Sequence, residues 1–338
     1  MSASDNDSAL EVLSDHADDD NDSTIDESDS GYWAQEESTR SVTASIYDYE
    51  RLHNRTYHAF HSGKYFMPND ESEQDRLDIM YHAFRLTLRD RLFLAPIENP
   101  TAILDIGTGT GIWAMDAAEA HQDATVVGTD LSPIQPSYVP SNLTFEIADA
   151  DEEWHFRDKF DLIHTRIMMD TSLRSWPHFF EEAFRALNPG GWVECQEMDY
   201  NRTSDDNTIP TDSRLRFWER EWTRGMEMIG LGGYCRPDLV MEQMRNAGFI
   251  NVICRRLKVP IGPWPRDPVL RQAGMFGLVN LLDGIHGISL KIFTGLLDYS
   301  LDDLETLLSA CRREIRDRAV HSYWPVYVDQ HQPPYTVH

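Results

Sequence analysis

The densest group of residues able to do chemistry is the run Asp105-Ile106-Gly107-Thr108-Gly109-Thr110-Gly111. It follows a short apolar run, Ala102 to Ile106, and opens a helix-forming stretch, so its glycines occupy a strand-to-helix turn. Glycine lets the backbone open and touch a ligand, and the helix behind it presents free N–H groups. The turn therefore predicts a nucleotide-like ligand. A dinucleotide fingerprint, G-x-G-x-x-G, would place its third glycine where the chain has Ile112. The pattern is instead D-x-G-x-G-x-G. A second apolar run ends in Asp130, 19 residues after Gly111, where a carboxylate at the end of a strand accepts both hydroxyl hydrogens of a ribose.

These residues need a sheet to hold them. Apolar runs at Thr125 to Thr129, Leu143 to Ala148, Phe160 to Thr165 and Gly191 to Gln196 follow the first, each bounded by turn residues. Between the last two lies a helix, Pro177 to Leu187, stopped by Asn188-Pro189-Gly190-Gly191. Strands alternating with helices imply a parallel sheet covered on both faces. Upstream, residues 75 to 94 show helical spacing of Leu77, Met80, Tyr81, Phe84, Leu88 and Leu92. Downstream come helices near 212 to 229 and 236 to 247, and a strand at Val252 to Val259. A helical excursion at 266 to 298 follows, then a helix at 301 to 317 with Ser300 and Asp303 as a capping box, and a last strand near Ser322 to Val328. The expected class is α/β, with about seven strands.

The D-x-G-x-G-x-G turn resembles the first motif of class I S-adenosylmethionine-dependent methyltransferases. Ala148-Asp149-Ala150, after the third strand, and Leu187 to Trp192, before the fifth, resemble further motifs of that class in the same order. A narrower resemblance is to the fungal LaeA-like (TAM-domain) methyltransferases. It is carried by Arg55-Thr56-Tyr57-His58, Gly63-Lys64-Tyr65, Pro68 to Glu71, Arg76-Leu77-Asp78, Gly107 to Trp113, Glu152-Glu153-Trp154, Gln196 to Asp199, Ala247-Gly248-Phe249, Pro263-Trp264-Pro265 and His321 through Tyr327. It spans roughly residues 45 to 330.

The resemblance implies a Rossmann-like, mostly parallel seven-stranded sheet with helices on both faces, an N-terminal helical lid and a helical insertion near the C-terminus. It implies S-adenosyl-L-methionine as cofactor, held by Tyr57 of the lid, Asp105, Gly107, Thr108, Gly109, Gly111, Trp113, Asp130, Leu131, Asp149, Ala150 and Arg166. Asp149 and the Ala150 N–H would read the adenine. It further implies an enzyme of fungal secondary metabolism or its regulation, acting on a small molecule or a protein. The alternative is a cofactor-binding regulatory subunit that works by assembling with a partner.

Methyl transfer from a sulfonium is an in-line displacement that mainly needs alignment and exclusion of water. A hydroxyl or ammonium acceptor would also need a base, and His164 and Glu197, near the ends of the fourth and fifth strands, are the catalytic candidates. Arg166 could equally pair with Asp149 or Glu197. The acceptor is expected between His164, Glu197 and the 266 to 298 excursion, with Trp264, Phe276, Phe293 and Trp324 as candidate pocket walls. His58 and His61 stand at helical i, i+3 spacing, but nothing completes a metal site, and no metal is expected.

Composition narrows the rest. The 338 residues carry 57 acidic against 30 basic side chains, a net charge of −27, which argues against nucleic-acid binding. Residues 1 to 40 hold 13 acids against one base and ten Ser plus Thr, and read as a disordered acidic tail. Residues 41 to 338 read as one domain: lid at 41 to 98, cofactor-binding core at 99 to 200, acceptor-side and partner-side elements at 201 to 338. The 4 cysteines form no CxxC pair, no membrane span is evident, and a cytoplasmic or nuclear protein is expected, as homodimer or heterodimer.

Overall fold

A computed structural model describes residues 46–169, 171–231 and 236–332. The acidic tail at 1 to 40 and Cys235 lie outside the described residues. The first described elements are the strands of a hairpin, β1 (Glu50–Leu52) and β2 (Arg55–Tyr57). His53 and Asn54 join them, both at positive φ (47° and 64°), the conformation a two-residue hairpin turn demands. The lid thus carries a hairpin as well as its helix, α1 (Glu71–Thr87). Asp70 caps α1, accepting from the Glu73 N–H at 3.2 Å, while Arg89 and Asp90, both at positive φ, end it before the predicted 94.

Seven strands form the main sheet in the order β5-β4-β3-β6-β7-β9-β8. They are β3 (Ala102–Ile106), β4 (Thr125–Asp130), β5 (Leu143–Ile147), β6 (Phe160–Arg166), β7 (Leu187–Met198), β8 (Ile250–Pro260) and β9 (Tyr323–Gln332). The β5-to-β7 pairs are parallel, and β9 runs antiparallel to both β7 and β8. The remaining helices are α2 (Ile112–Ala120), α3 (Trp176–Ala186), α4 (Arg214–Met228), α5 (Pro237–Asn246), α6 (Pro268–Gly295) and α7 (Leu301–Ile315). The expected α/β sheet with helices on both faces is thus the observed one. The Asn188-Pro189-Gly190-Gly191 run ends α3 as predicted, but becomes the irregular start of β7, whose register on β6 shifts between Phe160 and Leu162.

Strand alternation explains the double cover. Ile103, Val126 and Leu162 pack on α2 through Trp113, Ala114 and Ala117. Their neighbours Leu104, Ile106 and Ile163 pack on the other face, against Phe179 and Phe180 of α3 and Val240 and Met244 of α5. A third core, beyond β7, joins α1, α4, α6 and α7 through Phe84, Trp222, Ile285, Phe293 and Leu308. The 266 to 298 excursion is one 28-residue helix, α6. Its length and apolarity suffice to cross a membrane, yet 61% of the apolar window is buried inside this fold, as in a core helix.

Candidate functional site

The strands' carboxyl ends open into one cleft, roofed by the lid and by α1, α4 and α6. Gly107 and Gly109 line its floor, and the three glycines of the turn have φ of 70°, 59° and 81° at Gly107, Gly109 and Gly111. A Cβ on Gly111 would lie 2.4 Å from the Phe145 ring, so both conformation and space oppose a side chain there; at Gly107 the neighbour is the flexible end of Met168, and the positive φ is what disfavours one. The turn is tied down on all sides. Gly109 N–H donates to Asp130 at 2.8 Å, Thr108 Oγ1 to Asp105 at 2.7 Å, Thr110 Oγ1 to Asp78 at 2.6 Å, and Gln135 donates to the Gly109 carbonyl at 2.6 Å.

Asp130 ends β4 with its carboxylate in the cleft, taking N–H groups of Gly109 and Ser132. Burial pushes it up to about 6 despite those bonds. Leu131, Asp149 and Ala150 line the same end. Asp149 accepts from the Asp151 N–H at 3.0 Å and from His61 Nδ1 at 2.7 Å, and is ion-paired with Lys64. Burial pushes Asp149 up, but the bonds from Lys64, His61 and Asp151 outweigh it and hold the carboxyl below its usual range. The lid thus grips the residue expected to read adenine.

His58 and His61 do not share a helix. Both lie in the loop after β2, His61 at φ 48°, and His58 bonds the backbone of Phe60 and Tyr65. His61, Asp149 and Glu152 bring one ring nitrogen and two carboxylates within 4.8 Å of one another, with the Lys64 ammonium already on Asp149.

Arg166 lines the cleft at the end of β6, and among the described residues it pairs with neither Asp149 nor Glu197. Its guanidinium lies over the rings of Tyr81 and Phe84, 5.1 and 5.7 Å from their centroids. Asp105, Tyr57, Trp113, His164 and Glu197 stand behind the cleft wall. The Asp105 carboxylate is taken by Thr108 and by His164 Nδ1 at 2.7 Å. His164 is stacked on Trp113 at 3.7 Å and 2°, and Trp113 donates to the Leu92 carbonyl. Tyr57 is fully buried under Lys291, with burial pushing its hydroxyl up to about 12. Glu197 accepts the N–H groups of Met168 and Met169 at 3.3 and 2.9 Å, fixing the loop that carries Met168, Thr171 and Ser172 along the cleft.

The other end of the cleft is apolar and aromatic. Trp218 and Trp222 of α4, Trp324 of β9, Met80, Met198, Leu281 and Ile288 line it, each at most 7% exposed. Tyr200 packs on Trp222 at 4.7 Å, and the Trp222 Nε1 is buried with no acceptor. Of the aromatics expected there, only Trp324 takes part. Trp264 bonds the Ser322 carbonyl, Phe276 packs on His82, and Phe293 is core. The Trp218 and Trp222 pair was missed, although their i, i+4 spacing within the predicted 212 to 229 helix put them on one face.

A mostly parallel sheet in this order, a positive-φ glycine turn after its first strand and a desolvated acid at the end of its second define a class I methyltransferase. A family described as a methyltransferase domain matches residues 79–252. Methyltransferase pytC of Aspergillus terreus is 38% identical over 300 residues, 88% of this chain and 92% of its own. The secondary metabolism regulator LAE1 of Cochliobolus heterostrophus is 34% identical over 282 residues, 81% of this chain and 91% of its own. The protein-methionine methyltransferase laeA of Emericella nidulans is 32% identical over 287 residues, 83% of this chain and 75% of its own. The chain belongs to the LaeA-like branch of the S-adenosylmethionine-dependent methyltransferases, as the resemblance implied. It is an enzyme of that class, and S-adenosylmethionine is its cofactor.

Proposed function

We propose that the chain methylates a small, largely apolar molecule held at the aromatic end of the cleft. The observation that carries this reading is the closure of that end. Trp218, Trp222 and Trp324 are all at most 4% exposed, so an acceptor there is enclosed, as a small molecule is and a surface peptide is not. When bound, the cofactor would supply an activated methyl on a sulfonium, open to in-line attack by an acceptor atom with S-adenosylhomocysteine as the leaving group.

The chain's residues then align and dry the pair. The glycine turn lets the amino-acid part approach the backbone, Asp130 in its ionised form takes the ribose hydroxyls, with Leu131 beside it, and Asp149 with the Ala150 N–H faces the adenine once Lys64 and His61 yield. Thr108 and Asp105 hold the turn, Trp113 stacks on His164 behind it, and Tyr57 is buried in the lid under Lys291. His164 and Glu197 act as positioning residues: His164 orients Asp105, and Glu197 holds the backbone of Met168 and Met169. The aromatic walls exclude water.

The test is mass spectrometry of host metabolite and protein extracts treated with pure enzyme and labelled cofactor. Label in an organic-soluble small molecule supports the proposal. Label only in protein overturns it and favours the regulatory role named for several relatives.

A further inference from the structure

Buried and half-buried arginines in this protein hold carboxylates. Arg55 pairs with Asp70 at 2.5 Å, Arg76 with Glu73 at 2.7 Å, Arg85 with Asp116 at 2.8 Å and Arg202 with Glu314 at 2.5 Å. Arg166 has no such partner among the described residues, and its Nη1 is sealed from solvent without an acceptor. The nearby acids are spoken for. Asp105 is bonded to Thr108 and His164, and Asp78 to Thr110. They act on Arg166 through space only, and burial draws the guanidinium below its ordinary range.

A desolvated guanidinium without a counterion is unfavourable, so an anion that completes the pair gains a charge-assisted, bidentate contact. The position says where that anion sits. Arg166 follows Thr165, which is in register with Ile106, so its side chain starts beside Gly107, and both residues line the cleft. Tyr81 and Phe84 pin the guanidinium plane from α1, so little entropy remains to be lost on binding.

We propose that Arg166 is the cleft's carboxylate receptor and that its ligand is the α-carboxylate of the cofactor, fixing the amino-acid end against the glycine turn. This rests on the reading that the cofactor lies along that turn. An anionic acceptor is the other source of a carboxylate, and the ligands below separate the two.

The test is calorimetric titration with S-adenosylhomocysteine, its decarboxylated analogue, and 5′-methylthioadenosine, which lacks the amino-acid part. The wild type should bind S-adenosylhomocysteine about ten- to a hundredfold more tightly than the decarboxylated analogue, the range of a buried charge-assisted bond. Arg166→Gln should erase that difference while leaving 5′-methylthioadenosine within about twofold, and Arg166→Lys should restore part of it. Equal affinity of the wild type for the two homocysteine ligands overturns the proposal and leaves the anion to the acceptor, whether or not any variant folds. Equal loss of all three ligands in Arg166→Gln overturns it too, by making the residue a general support. If the wild type binds none of the three, the cofactor reading itself falls, and the proposal with it.

Discussion

The two ends of the cleft are built in opposite ways. The cofactor end comes chiefly from one stretch, Asp105 to Ala150, joined by Arg166 of β6, and each of these functional residues sits at the end of a strand or in the turn after it. It is polar, and its geometry is held by backbone bonds such as Gly109 N–H to Asp130. The aromatic end is assembled from α1, α4, α6 and β9, whose residues are far apart in sequence and meet only through side-chain packing. A fixed cofactor needs fixed backbone, whereas an acceptor pocket needs shape, which packing can vary while the sheet stays put. Substitutions should therefore separate: changes at one end should alter cofactor affinity, and changes at the other should alter transfer.

The largest effect is expected from Gly111→Val. The new side chain meets the Phe145 ring and forces a β-branched residue to positive φ, so S-adenosylhomocysteine binding should fall by more than about a hundredfold, measured by calorimetry. Next comes Asp130. Its carboxyl, raised by burial to about 6, holds a proton more tightly folded than unfolded, so its ionisation destabilises the free fold above about pH 6, an effect absent once pH falls below the ordinary carboxylate range. Ribose binding favours the ionised form. Affinity for S-adenosylhomocysteine should therefore decline as pH falls through about 6, approaching about tenfold per unit below it. Asp130→Asn should weaken binding by about 1–3 kcal/mol at pH 7.5 and flatten that profile; an undiminished pH step in the variant would assign the titration to another group.

At the aromatic end, Trp222→Leu should cut methyl transfer to the metabolite extract about tenfold while leaving S-adenosylhomocysteine affinity within about twofold. A matching loss of cofactor affinity would merge the two ends into one. The smallest effect is expected from Glu197→Gln. The amide still accepts one N–H of the 168 to 169 loop, so the melting temperature should drop by about 2–4 °C, with cofactor affinity nearly unchanged. A selective collapse of transfer with unchanged stability would instead restore Glu197 as a base acting on the acceptor.

The same division explains what the sequence disclosed. The glycine turn, Asp130 and the succession of strands along the chain were legible because local spacing and bounded apolar runs mark them. His164 was a reasonable candidate by position, yet it lies two residues inside β6 from Arg166, about 7 Å below the strand end, so its ring meets Asp105 and Trp113 instead of the cleft. Alternation gives a face, not a depth. The grip of His61 and Lys64 on Asp149 spans 88 residues from His61 alone and depends on how a loop folds back, which no periodic signal encodes. The hairpin at Glu50–Tyr57 escaped for a related reason: its strands are three residues each, too short for alternation to register.

Hydrogen–deuterium exchange with and without S-adenosylhomocysteine tests the division of the cleft most directly, because it reads every segment at once. Protection is expected at residues 105 to 112, 129 to 132 and 148 to 151, with α4, Arg214–Met228, unchanged. Protection confined to α4 and α6, with the glycine turn exchanging as in the free protein, would contradict that division.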